Sequence, residues 1–148
     1  RQRQMCIRDS INPNRAELEE LTGRVLADDA ALLAAAGELN AGGVELVVIS
    51  LGAEGALFVT ARQAVHAGLP PLRVVSSVGA GDAMMAGIIA ALRDGAGLER
   101  IARLGTAFAA AKLSRAGANL PPRQEVEALA KQVVVKDLTK MEAEGKSV

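Results

Sequence analysis

Apolar positions along the chain follow two rhythms, one helical and one nearly continuous. The segment "INPNRAELEELTG" opens with turn chemistry, because Pro13 biases Asn12 away from the helical region. Asn14 is placed to cap a helix, with Glu17 three residues on as its capping-box partner. Leu18 and Leu21 supply an apolar stripe, and Gly23 ends it. From Asp28 to Asn40 the pattern "DDAALLAAAGELN" predicts a second helix, stopped by Asn40, Gly42 and Gly43. The rhythm then changes. "VELVVIS" (Val44–Ser50) is β-branched and almost unbroken, which predicts a strand buried on both faces. "LGAEG" reads as a turn, and Ala56–Thr60 and Ala64–Gly68 read as a hairpin about Ala61-Arg62-Gln63. Leu72–Ser77 reads as a further strand. Helices are expected over Asp82–Arg93, closed by Gly95, and over Leu98–Ser114. Gly117 and Pro121-Pro122 then break the chain ahead of a short helix, "PRQEVEALAKQ", and a last strand, "VVVKDL".

Helices alternating with apolar strands imply a layered α/β fold with a mostly parallel sheet. There is no internal repeat and no low-complexity linker, so the 148 residues read as one domain or part of one. Net charge is zero, which supports neither a nucleic acid nor an anionic membrane as partner. Two Phe and no Trp or Tyr argue against base stacking on single strands. The single cysteine, Cys6, excludes an internal disulfide and points to a reduced, cytoplasmic setting. The apolar runs are too interrupted to span a bilayer. Residues 1–10, "RQRQMCIRDS", carry no periodicity and are read as a non-native segment. Residues 11–140 then form the working part, and 141–148 a polar tail.

The chemistry concentrates in "SSVGAGDAMMAG" (Ser76–Gly87). A glycine turn that feeds a helix start presents amide groups with no intrahelical acceptor, a cradle for an anion. Asp82 at its edge is placed to take a proton from a hydroxyl attacking phosphorus. A plain strand–turn–helix corner with Asp82 as helix cap is the alternative. The stretch fits neither a dinucleotide-binding fingerprint, since Met84 stands where Gly or Ala is required, nor a P-loop, since it lacks a Gly-Lys-Ser/Thr ending and the distant Gly145-Lys146-Ser147 has Lys140 in the first-glycine position. Asn14 and Glu17 could likewise be only a capping pair, and "LGAEG" only a hairpin turn. His66 reads as a strand-end polar residue, Met84 and Met85 as core, and Lys112 and Arg115 as a solvated helix end.

"SSVGAGDAMMAG" resembles the C-terminal signature D-T-x-G-A-G-D of the PfkB/ribokinase carbohydrate kinases. "NPNRAELEEL" resembles that family's N-x-x-E segment, and "VVISLGAEGALFV" its strand–turn–strand along the nucleotide phosphates. Three motifs stand in family order, in wording similar to bacterial 1-phosphofructokinases. The resemblance implies the C-terminal portion of a ribokinase-like, Rossmann-like layered fold. It further implies Asp82 as general base and an anion hole made by Gly79, Ala80, Gly81 and Asp82. Ser50, Leu51, Gly52, Ala53, Glu54 and Gly55 are expected along ATP, together with Asn14 and Gly81. Asn14 and Glu17 are expected to position Mg²⁺, with Glu17 acting through water, and Gly105–Ser114 to flank the adenine.

The implied reaction is ATP-dependent phosphorylation of D-fructose 1-phosphate to fructose 1,6-bisphosphate. Tagatose 6-phosphate kinase or another sugar kinase of the family is the alternative. A non-catalytic nucleotide-binding fragment is the alternative of a different class. The sequence departs from the family at Ser76, where Asp or Asn is usual, and at Asn12, where the subfamily has Lys. The family's N-terminal sugar-binding half and its β-sheet lid have no counterpart in this sequence. The lid is the part that closes over substrate, and family dimers form through it, so a homodimer is expected only of a full-length parent.

Overall fold

The computed structural model describes residues 10–115 and 121–139. The chain folds into β1 (Ser10–Ile11), α1 (Arg15–Thr22), α2 (Asp29–Ala41), β2 (Leu46–Ser50), β3 (Ala56–Val59) and β4 (Ala64–Gly68). These are followed by α3 (Ala80–Arg93), α4 (Leu98–Leu113), α5 (Arg123–Gln132) and β5 (Val134–Asp137). The strands form one sheet in the order β1-β2-β3-β4-β5. The described residues fall into two compact units, residues 10–66 with 136–139, and residues 67–135.

In the first unit, β1 runs parallel to β2, with Ser10 opposite Leu46 and Ile11 opposite Val47. β2 and β3 run antiparallel, with Val47 opposite Val59 and Ser50 opposite Ala56. The sheet therefore mixes directions within the expected α/β class. The reason is length: the link Leu51–Gly55 is far too short for a parallel crossover and can only return the chain. Leu46–Ile49 and Ala56–Val59 are fully buried, as an unbroken apolar run requires. Val47, Ile49, Leu57 and Val59 share one core with Leu18 of α1 and Leu32, Leu33 and Ala36 of α2. The turn after β3 closes through the Thr60 amide on the Gln63 carbonyl at 2.8 Å. Ser10, assigned above to a non-native leader, and Ile11, read above as the opening of a turn, pair with β2 as the short strand β1. Residues 1–9, Gly117 and the tail 141–148 lie outside the described residues.

In the second unit, Leu72–Ser77 is not a strand. Val74 and Val75 are 59% and 55% exposed, and the Val75 and Ser76 amides both donate to the Leu113 carbonyl, at 2.7 and 3.2 Å. Their donors close the end of α4 instead of joining a ladder, so β-branching alone was a poor guide. α3 and α4 pack closely through two glycines. A Cβ on Gly87 would stand 2.6 Å from the Leu104 carbonyl and 2.8 Å from the Phe108 ring. One on Gly105 would stand 2.9 Å from Ile88. Met84 is core and Met85 half-buried.

Gly87→Ala is expected to destabilise the chain by about 1–3 kcal/mol through overpacking of this contact. Urea denaturation measures it. The same change at Gly97, where a Cβ meets open space, is the control.

Candidate functional site

Two of the expected segments meet inside the first unit. Asn14 caps α1: its side chain accepts from the Glu17 amide at 2.8 Å, and Glu17 Oε1 accepts from the Asn14 amide at 3.2 Å. The capping box read from the sequence is therefore present. Both residues are exposed, and the second Glu17 carboxylate oxygen has no partner among the described residues. Asn14 also forms a parallel bridge with Ser50. The Ser50 amide donates to the Pro13 carbonyl at 3.1 Å, and its hydroxyl donates to Asn12 Oδ1 at 3.0 Å. As a result Asn14, Ser50, Leu51 and Gly52 line one shallow cleft of about 290 Å³. Arg15, which sequence reasoning passed over, lines it too, with its guanidinium tied to the Leu26 carbonyl at 2.5 Å. Glu17 lines the adjoining cleft with Asn12 and Pro13.

The loop after β2 is a short 3-10 turn, Gly52–Glu54, closed on itself. The Leu51 amide donates to the Gly55 carbonyl, Glu54 to Leu51 and Gly55 to Gly52, at 2.8, 3.2 and 3.1 Å. Gly55 holds φ +94° and ψ −129°, a region in effect reserved for glycine. The Glu54 carbonyl meets Nε2 of His66 at 2.7 Å. A carbonyl oxygen can only accept, so Nε2 carries the proton. His66 is thus more than a strand-end polar residue, and only its distance in sequence from the loop hid this.

Among the described residues no group of three or more His, Cys, Asp and Glu side chains could cage a metal ion. Glu17 offers one open carboxylate oxygen. That suits Mg²⁺, which keeps most of its waters and takes one or two carboxylates plus substrate phosphates.

The second unit carries the Gly79–Asp82 turn. α3 begins at Ala80 rather than Asp82, and its N-cap is Gly79, at φ +81°, with no side-chain cap. The Ala80 amide makes a long contact of 3.4 Å to the Ser77 carbonyl, and Ala83 donates to Gly79 at 2.9 Å. The Gly81 and Asp82 amides between them have no acceptor among the described residues. Asp82 lies in the first turn, exposed, and its carboxylate has no partner among the described residues. It is therefore not the helix cap that the alternative reading required. Lys112 of α4 lies over the turn: its Cε stands 3.0 Å from where a Gly79 Cβ would be. Arg115, grouped with it from sequence, is instead paired with Glu125. Of Gly105–Ser114, expected beside adenine, residues 105–107 and 109–111 are buried and Phe108, Lys112, Leu113 and Ser114 half-buried, with Gly105 packed on α3.

An uncapped helix start with two open amides favours negative charge beside it. The chain belongs to the pfkB family of carbohydrate kinases, whose family model matches residues 7–125. It is 51% identical over 127 residues to the 1-phosphofructokinase of Xanthomonas campestris pv. campestris, covering 85% of this chain and 40% of that protein. It is 45% identical over 130 residues to the 1-phosphofructokinase of Rhodobacter capsulatus, covering 88% and 41%. Among solved structures it is similar to phosphofructokinase-2 of Escherichia coli in complex with substrates and products. That match has a TM-score of 0.76 and 33% identity over 83% of this chain and 40% of the other. Ribokinase of Thermotoga maritima gives 0.73 and 32%, over 83% and 42%. The fold is thus ribokinase-like, and the chain spans about two fifths of the length of the relatives it matches. No described helix is long and apolar enough to cross a membrane.

Two substitutions separate local structure from charge at Asn14 and Glu17. Asn14→Ala is expected to lower stability by about 1 kcal/mol by removing the cap. Glu17→Gln keeps an acceptor for the Asn14 amide and is expected to change stability by less than about 0.5 kcal/mol. Chemical denaturation of both variants distinguishes these outcomes.

Proposed function

We propose that this chain carries the phosphoryl-transfer machinery of an ATP-dependent sugar-phosphate kinase, acting in the cytoplasm on D-fructose 1-phosphate. The product is fructose 1,6-bisphosphate. The observation that carries the reading is the start of α3, where the Gly81 and Asp82 amides are open beside an exposed, unpaired Asp82 carboxylate. The similarity to two 1-phosphofructokinases supports the choice of sugar, with tagatose 6-phosphate as the alternative acceptor.

Phosphoryl transfer asks a protein mainly for positioning and charge stabilisation. In this reading the acceptor hydroxyl attacks the γ-phosphorus of ATP, the bond from that phosphorus to the β,γ-bridging oxygen breaks, and ADP leaves. The hydroxyl proton passes to the Asp82 carboxylate. The amides of Gly81 and Asp82, with Ala80 and Gly79 shaping the turn, stabilise charge on the transferring group. Ser50–Gly55 and Asn14 lie along the nucleotide phosphates. Glu17, through water, and Asn14 hold Mg²⁺, which when bound neutralises phosphate charge.

Asp82→Asn tests the reading. It preserves the turn and is expected to leave MgATP affinity within about two-fold, while lowering kcat on fructose 1-phosphate by about 10²–10⁴-fold. Equal turnover by the two proteins rejects Asp82 as base. A second reading, nucleotide binding without turnover, is favoured by the chain's span of two fifths of its relatives. Calorimetric binding with no turnover by either protein selects it.

A further inference from the structure

We infer that His66 is a positioning residue for the nucleotide loop, fixing which two amides of Leu51–Gly55 face the phosphates. The inference rests on the reading of that loop given above. It starts from a complete accounting of the loop's backbone groups. The Leu51, Glu54 and Gly55 amides are taken up by the Gly55, Leu51 and Gly52 carbonyls. The Glu54 carbonyl has no backbone donor and is held by His66 Nε2 at 2.7 Å. What remains is the pair of amides on Gly52 and Ala53, both on exposed residues and both without an acceptor among the described residues.

A peptide unit is planar and trans, so the Glu54 carbonyl and the Gly55 amide point opposite ways. Holding that carbonyl on His66 aims the Gly55 amide back at Gly52, which is the bond observed. Without the histidine this peptide can turn over. The Glu54 carbonyl, an acceptor, then becomes free to swing toward the face where the open amides stand. An oxygen there repels a phosphate. His66 sits on β4, whose buried neighbours Val65 and Ala67 anchor it in the sheet, so a rigid element sets the loop.

The reach of the donor makes the inference testable. A glutamine places its amide nitrogen close to where histidine has Nε2, whereas asparagine places its own near Nδ1. The chain is titrated with MgADP by calorimetry, unsubstituted and as His66→Ala, His66→Gln, His66→Asn and Ala53→Glu. His66→Ala and His66→Asn are expected to weaken MgADP about five-fold, the loss of one hydrogen bond, and His66→Gln is expected to restore it. A purely bulk-filling role predicts no difference between Gln and Asn, and that result overturns the inference.

Ala53→Glu sets a carboxylate beside the open amides and is expected to weaken MgADP at least ten-fold. If it does not, or if the unsubstituted chain binds no MgADP, the loop reading falls and this inference with it. If Ala53→Glu weakens binding while His66→Ala binds as tightly as the unsubstituted chain, only the role of His66 falls. A nitrogen-15 spectrum of the imidazole provides a ligand-free check. The Nε2–H tautomer is expected, and an Nδ1–H tautomer overturns the inference whatever the titrations show.

Discussion

One backbone hydrogen bond organises the first unit's share of the site: the Ser50 amide on the Pro13 carbonyl, at 3.1 Å. Pro13 has no amide to donate, and it enters the ladder as an acceptor only. The parallel register continues through it, from Ser10 and Leu46 to the bridge between Asn14 and Ser50. A helix start and a loop 36 residues apart in sequence therefore leave the sheet side by side. Slipping that register by one residue would exchange the two buried faces of Leu46–Ile49 and part the two segments. The core and the cleft consequently depend on the same strand register.

In the second unit the corresponding role falls to glycine. Gly87 and Gly105 let the α3 and α4 backbones approach to a distance that no side chain survives. The Leu113 carbonyl then gathers the Val75 and Ser76 amides, which fastens the segment leading into the Gly79 turn to the end of α4. The turn is held at both sides by helices that are themselves wedged together. This is the rigid support that a site needs if its donors are to sit within about half an ångström of where charge develops.

What could be read from the sequence was what is local. The Asn14–Glu17 box, the Thr60–Gln63 turn and the helix behind Gly79 each depend on residues three or four apart, and each stands where the spacing put it. Leu72–Ser77 was misread because β-branched residues report a liking for extended backbone, not the presence of a neighbour to pair with. The contact of His66 with Glu54, the place of Lys112 over Gly79 and the presence of Arg15 in the cleft were not legible. Each is decided by how elements dock, and no periodicity encodes that. The separation of Lys112 from Arg115 had the same origin, since it needed Glu125 of α5 to claim the arginine.

The start of α3 is an unfinished piece of secondary structure. Most helices complete their first turn with a side chain of their own, but Gly79 has none to offer, and Gly81 and Asp82 keep their donors open. No described residue supplies the missing acceptor, which leaves the two donors to water or to an anion. Any anion that settles there finishes the helix as a cap does, and so shifts the folding equilibrium by mass action. An anion bound there would raise the melting point with its concentration and affinity, so heat would read out binding as well as folding.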